Sequence, residues 1–345
     1  MELRWFEDYI ALADCLNFSR AAQQRNITQP AFSRRIRALE TWVGTPLFER
    51  TTHDVSLTPA GIHFRNQAEA LTRSILQLQR ETCEVAGQKQ AVIGLAATHA
   101  LSFTFFPKWM QEMGRVMPLG TLNLISDSMQ ACEQVMLRGD APFLLAHFHA
   151  SMQSNLPAGQ FKSIVIGKDR LVPLCTPDFA RKAGLSSGDI SADVSGDITG
   201  DDAELAVRNA LPVAENTGGQ GKRQDQDQVQ DQEISWLAYR RESGLGRIIK
   251  AHWAKRAPSF TLRESFTSHL AATLQSMAGS GAGVAWLPET LAMADMAEGK
   301  LVPFGGAELI IPIEIRLFRP VARQSPMIEE FWRMASQTMQ EKVLD

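Results

Sequence analysis

The chain has 345 residues, 44% of them apolar, and a formal net charge of −3, which allows two or three domains with sizeable cores. Its longest apolar stretches, such as Ala141 to Phe148, fall far short of the roughly 18–20 residues of a spanning helix. Acids Glu2, Glu7, Asp8 and Asp14 interrupt the first apolar run, so neither a signal peptide nor a membrane partner is expected, and the predicted location is cytoplasmic.

Residues 4–14 carry Trp5, Phe6, Tyr9, Ile10 and Ala13 at helical spacing. Asn17-Phe18-Ser19 breaks this helix, and Ser19 is a candidate cap for a second one over Arg20–Arg25. After the turn Asn26-Ile27-Thr28, Thr28 caps a third helix with Pro30 in its first turn, where a missing N–H matters little. Phe32, Ile36, Leu39 and Val43 form its buried stripe, and Gly44 stops it. Two short helices joined by a tight turn make a helix-turn-helix. Phe48 to Leu57 then reads as a hairpin wing with its tip at His53-Asp54.

Six arginines (Arg20, Arg25, Arg34, Arg35, Arg37 and Arg50) against Glu40 and Glu49 make residues 20–50 locally basic, as a double-stranded DNA operator requires. On the third helix Gln29, Pro30, Ser33, Arg34 and Arg37 lie opposite the apolar stripe, so they are the candidates for base edges. Arg20, Arg35 and Arg50 are assigned to phosphates.

From Pro59 a long helix is predicted to about Gln88. Phe64, Ala68, Leu71, Ile75, Leu78, Thr82 and Val85 alternate four and three apart, an a/d seam that points to dimerisation. Beyond it, strands and helices alternate: strand 91–97, helix 101–116, strand 122–125, helix 129–137 and strand 143–148. Strands at 164–166 and 171–175, then 234–239 and 261–264, follow, with helices at 245–254, 268–278 and 289–298, strands at 283–287 and 310–318, and a last helix from about Met327 to Lys342. Such alternation predicts a parallel α/β sheet. Residues 188–232, rich in Gly, Asp, Gln and Ser, read as a flexible surface insertion.

Thr98-His99-Ala100-Leu101-Ser102 opens a helix after a strand, an arrangement suited to an anion. His147, Tyr239 and Ser268 sit at other strand and helix ends that should converge on the same cleft, where open α/β sheets hold their ligands. His147 and His149 share a strand face, but no third ligand accompanies them, and no metal or cofactor is expected. Gly279-Ser280-Gly281-Ala282-Gly283 follows a helix and precedes a strand, the wrong order for a dinucleotide loop. With no Ser/His/Asp set, CxxC pair or phosphate loop, an enzyme or a plain solute-binding protein is the weaker alternative. The four cysteines Cys15, Cys83, Cys132 and Cys175 are widely spaced and read as free thiols.

Phe18 with Ala21-Ala22, Thr28-Gln29-Pro30-Ala31, Ser33, Ile36, Leu39-Glu40, Gly44, Leu47-Phe48, Arg50 and Leu57-Thr58-Ala60-Gly61 resemble the N-terminal signature of LysR-type transcriptional regulators. That resemblance implies a winged helix-turn-helix (1–58), a linker helix (59–90), and an α/β effector domain (91–345) shaped like periplasmic binding proteins. Subdomain I is expected at about 91–162 and 267–345, and subdomain II at about 163–266. It also implies DNA contacts by Gln29, Pro30, Ser33, Arg34 and Arg37, a homodimer or homotetramer, and RNA polymerase as a further partner. Three segments, AATHALSFTFFPKW, LAYRRESGLGRIIKAHW and GVAWLPE, resemble the hypochlorite-responsive members, which sense oxidant through methionine. Met110, Met113, Met117, Met129 and Met136 become the candidates for such an oxidative-stress response, although core filling is the ordinary role of methionine at helical spacing. A small anionic metabolite at Thr98–Ser102 is the alternative signal.

Overall fold

The computed structural model describes residues 2–50, 54–86, 92–115, 121–184, 233–256, 258 and 260–344. The predicted insertion 188–232, Met117 and the wing-tip residue His53 lie outside them.

Helices α1 (Leu3–Cys15), α2 (Phe18–Gln24) and α3 (Gln29–Val43) pack around Phe6, Tyr9, Leu12, Phe32, Ile36 and Leu39. Each such large apolar side chain stabilises the module by roughly 1.5–3 kcal/mol on burial. Asn17, rather than Ser19, caps α2: its Oδ1 accepts the Arg20 N–H at 2.9 Å, and Phe18 is already helical. Thr28 occupies the N-cap position of α3 without a side-chain bond, and Gly44 ends the helix at φ 85°. The wing strands β1 (Phe48–Arg50) and β2 (Val55–Leu57) pair antiparallel, Phe48 opposite Leu57.

Helix α4 (Pro59–Val85) has 27 residues, a span of about 40 Å. At its start Gly61 lies against the wing: an added Cβ would come within 2.1 Å of the Leu47 carbonyl oxygen. Tyr9 Oη donates to the Gly61 carbonyl at 2.6 Å, which locks α1 to the same turn. Phe64 and Ala68 continue into the DNA-binding core, whereas Leu71, Ile75 and Leu78 are 43%, 36% and 63% exposed.

The effector domain begins with β3 (Val92–Thr98), α5 (His99–Phe103), α6 (Phe106–Gly114), β4 (Thr121–Asp127), α7 (Met129–Arg138) and β5 (Phe143–Phe148). The single helix expected over 101–116 is two helices, because Pro107 lacks the N–H that would continue it. β3 pairs parallel with both β4 and β5. The two strands expected at 164–166 and 171–175 are one strand, β6 (Phe161–Cys175). The polar run between them stays extended because Asp169 is buried and hydrogen-bonded inside the fold.

Beyond β6 come α8 (Pro177–Lys182), β7 (Ile234–Tyr239), α9 (Gly244–Trp253), β8 (Leu262–Ser268), α10 (Ala271–Gly279), β9 (Ala285–Pro288), α11 (Glu289–Ala297), β10 (Val302–Pro303), β11 (Ile311–Pro320) and α12 (Pro326–Leu344). Residues 262–268 form β8, paired parallel with β7, so the helix expected from Ser268 starts three residues later. The main sheet runs β10-β6-β11-β5-β3-β4, with β9 also paired to β6, and is mixed rather than parallel as expected, because the returning strand β11 runs antiparallel to both β5 and β6.

Two of the cores formed by the described residues lie to either side of the crossover strands. Ile93, Leu95, Trp109, Phe143, Leu317 and Phe331 form one, and Val172, Leu174, Leu237, Leu274, Leu287 and Leu301 the other. Residues 271–303 therefore belong with β7 and β8, and the chain returns to the first subdomain along β11 rather than at 267. The return follows from pairing: β9 joins β6 over residues 171–174, in the second subdomain, while β11 joins β5.

Candidate DNA-reading face and effector cleft

On α3, Gln29, Pro30, Arg34 and Arg37 are exposed and Ser33 is half-buried, all opposite the buried Phe32, Ile36 and Leu39. Arg20, Arg34 and Arg37 form no ion pair among the described residues, so their charge is available to DNA. Arg35 is committed elsewhere. Its Nη1 lies 3.2 Å from Asp8 Oδ2, and Asp8 is fully buried. Arg25 Nε binds the other oxygen of Asp8 at 2.8 Å. Arg35 thus braces α3 against α1, a bond that competes with its expected role as a phosphate contact. The sequence signal was Asp8 itself, an acid inside the apolar stripe of α1.

Glu40 orients the wing: Oε1 accepts the N–H groups of Leu47 and Phe48 at 3.0 and 3.2 Å, and Oε2 holds Arg50 at 3.3 Å. Arg50 also lies 4.5 Å over the Phe18 ring, so the wing base is tied to the start of α2.

The cleft lies where β3, β4, α7, α9 and the segment before α10 meet. Thr98, His99, Asp127, Met129, His147, Gly244 and His269 line a space of about 30 Å³. Thr98 Oγ1 is buried and has no hydrogen-bond partner among the described residues. His99 Nδ1 is 3.1 Å from Ser126 Oγ, which is 2.8 Å from Ser102 Oγ; Ser102 donates to the His99 carbonyl at 2.7 Å. The His99 and His269 rings are 5.9 Å apart across the cleft. Burial, then the nearby His269, holds His99 below the usual imidazole range, with Asp127 opposing.

Behind this wall, His147 Nε2 is 3.3 Å from Asp169 Oδ2, and Thr290 Oγ1 donates to the same oxygen at 2.7 Å. Burial disfavours the Asp169 carboxylate, but bonds from His147, Thr290 and the Arg170 N–H outweigh it and bring the group below its ordinary range. Tyr239 Oη is buried without a partner among the described residues, and burial, reinforced by Asp169, keeps it protonated. Ser268 does not join the wall; its Oγ accepts the Leu270 N–H at 3.0 Å. His149 and His147 are engaged separately, His149 Nδ1 lying 2.6 Å from Ser151 Oγ.

Of the methionine candidates, Met113, Met129 and Met136 are buried and Met110 is half-buried on its core. Met113 and Met136 fill cores, whereas Met129 also lines the cleft. A Cβ added to Gly244, in the facing subdomain, would sit 3.2 Å from Met129 Cβ and Cγ. This close approach between subdomains had no sequence signal. Cys132 and Cys175 are buried free thiols pushed up to about 12 by desolvation, too high for ready oxidation. No helix among the described residues is long and apolar enough to cross a membrane.

Comparison with known proteins agrees with both halves of this architecture. Residues 3–62 match the family described as bacterial regulatory helix-turn-helix protein, lysR family, and residues 220–340 match the LysR substrate binding domain. The HTH-type transcriptional regulator YjiE of Escherichia coli (strain K12) is 29% identical over 336 residues, covering 96% of this chain and 93% of the relative. The full-length structure of HypT from Salmonella typhimurium, described as a hypochlorite-specific LysR-type regulator, is 26% identical. That alignment covers 99% of each chain with a TM-score of 0.50. ArgP from Mycobacterium tuberculosis shares the fold at 18% identity, with 96% of this chain and 95% of ArgP aligned and a TM-score of 0.53. With a helix-turn-helix carrying uncommitted arginines on its outer face and a two-subdomain effector body behind it, this chain belongs to the LysR family of DNA-binding transcriptional regulators.

Proposed function

We propose that this regulator binds its operator as a dimer or higher assembly joined through α4, with Gln29, Pro30, Ser33, Arg34 and Arg37 at base edges and Arg20 and Arg50 at phosphates. Its signal enters at the cleft between the subdomains as a compact anion or similarly small polar ligand. The observation that carries this reading is Thr98 Oγ1, buried and unpartnered on the wall of the cleft. An unpaired buried hydroxyl costs about 1–3 kcal/mol, which a bound acceptor recovers. A space near 30 Å³ suits a ligand the size of water or a halide rather than a larger metabolite. The test is operator binding by wild-type protein and Thr98→Val across chloride, bromide and formate, with glutamate salts at matched ionic strength as the control. The wild type responds to one of the small anions and Thr98→Val does not. Equal responses from both proteins would exclude the cleft hydroxyl.

A second reading is oxidant sensing at Met129, supported by its position between the subdomains and by the likeness to HypT. A sulfoxide oxygen there would place a polar group in the contact with Gly244 and push the subdomains apart. Hypochlorite treatment of a protein with all four cysteines changed to serine, followed by mass spectrometry and operator binding, separates the two. Sulfoxide at Met129, with a change in operator affinity reversed by methionine sulfoxide reductase, supports it. Loss of the response in the cysteine-free protein removes it.

A further inference from the structure

A second cavity, well away from the interdomain cleft, lies where α4 docks on the effector body. It encloses about 480 Å³, within the range of small-molecule sites. Ala70, Arg73 and Gln77 of α4 form one wall, and Val92, Pro142 and Val321 of the body belong to the other. Val92 and Val321 are 40% and 47% exposed, apolar surface on the wall of the cavity.

Among the described residues that line it, the cavity has one cation. Arg73 is only 9% exposed, yet it forms no ion pair with any described residue. Its Nη1 donates to the Leu137 carbonyl at 2.9 Å, its Nη2 to Gln160, and its guanidinium lies 5.2 Å from the Phe161 ring centre. These contacts hold the group in place but leave its charge unbalanced. Two of its five N–H groups are engaged with described residues. The nearest acid in electrostatic effect, Glu69, is taken by Arg65 at 3.1 Å. Asp140, the acid among the lining residues, is exposed and does not pair with Arg73. Burial lowers the Arg73 guanidinium from its ordinary value, as an uncompensated desolvated cation should be.

We propose that this cavity is a second ligand site, for a monocarboxylate with an apolar body of ring or short-chain size, its carboxylate on Arg73 and its body against Val92, Pro142 and Val321. A single cation matches a single negative charge. A phosphate dianion would leave excess charge buried, and an apolar molecule would leave Arg73 as unbalanced as before. Because α4 supplies one wall and the effector body the other, occupancy favours the docked arrangement of the DNA-reading arm. This site is independent of whether the interdomain cleft takes an anion or an oxidant.

The test is isothermal titration of the full-length protein with benzoate and hexanoate, and with benzamide as the uncharged isostere. The carboxylates bind and benzamide does not. Arg73→Met weakens binding at least tenfold, and Arg73→Lys retains more of it than Arg73→Met. Ala70→Phe, which fills the cavity without touching the charge, also abolishes binding; it decides the matter should Arg73→Met fail to fold by circular dichroism. Thr98→Val leaves carboxylate affinity unchanged. The proposal is overturned if neither carboxylate binds the wild type, if Arg73→Met and Ala70→Phe bind as the wild type does, or if Thr98→Val alone abolishes binding, which would place the ligand in the interdomain cleft.

Discussion

Arg34 and Arg35 are adjacent on one helix and carry the same charge, yet the fold gives them different work. The 100° turn between them points Arg34 outward and brings Arg35 to the buried carboxylate of Asp8. Arg34→Ala is expected to lower affinity for the specific operator by about 1–3 kcal/mol while leaving thermal stability unchanged. Arg35→Ala has the opposite signature. Asp8 keeps Arg25 but loses one bond, so unfolding becomes easier by about 1–3 kcal/mol. The salt dependence of DNA binding stays as in the wild type, since no phosphate contact is removed. Denaturant titration together with binding across a salt series reads both. A shallower salt slope in Arg35→Ala would return that residue to the DNA.

At the scale of elements, α4 changes partner along its length. Phe64 and Ala68 pack on the helix-turn-helix, Arg73 and Gln77 reach the effector body, and Leu71, Ile75 and Leu78 remain exposed on a heptad seam. Each half-exposed leucine recovers on the order of 1 kcal/mol when a second helix covers it. Leu71→Asp with Leu78→Asp should therefore shift sedimentation from dimer to monomer and reduce operator affinity, because half-sites one helical turn apart need two reading heads. Neither position lies in the monomer core, so circular dichroism should stay unchanged. A fully assembled double variant would show that the seam is covered by something else.

Across the whole molecule the two subdomains face each other through ionisable groups. Arg247 of α9 holds the buried Glu133 of α7 at 2.8 Å. Nearby, the His149 and His252 rings meet at 5.6 Å. Burial holds both histidines below the ordinary 6.5, helped by their mutual proximity at His149, by Lys255 beside His149 and by Arg256 beside His252; Glu314 opposes at His149. His99 is lowered in the same way. A base held down in the folded state binds fewer protons than in the unfolded chain, so its contribution is present above 6.5 and lost as pH falls below it. Asp169 and Glu329, the latter brought to about 2 chiefly by Arg319, act the same way at lower pH, from their ordinary 3.8 and 4.5 downward. Stability from urea midpoints should decline first as pH falls below 6.5 and again below pH 4.5. His149→Gln with His252→Gln should flatten the first decline only; an unchanged profile would place the histidine effect elsewhere.

What the sequence determined alone is local: the 3.6-residue stripe of α3, its stop at Gly44, the length of α4, and the outer face bearing Gln29, Arg34 and Arg37. These depend on residues within a turn or two of each other, and the family signature falls on the same segment. Tertiary structure alone decided that Arg35 is a brace and that β6 runs unbroken through a polar stretch. It also decided that most of the candidate methionines are core, that the chain returns to its first subdomain along β11, and that Arg73 is buried without a counter-ion among the described residues. Each of these depends on groups far apart in sequence, such as Asp8 with Arg35 or Asp169 with Thr290, where neither residue's own neighbours specify which partner will desolvate it or satisfy its hydrogen bonds.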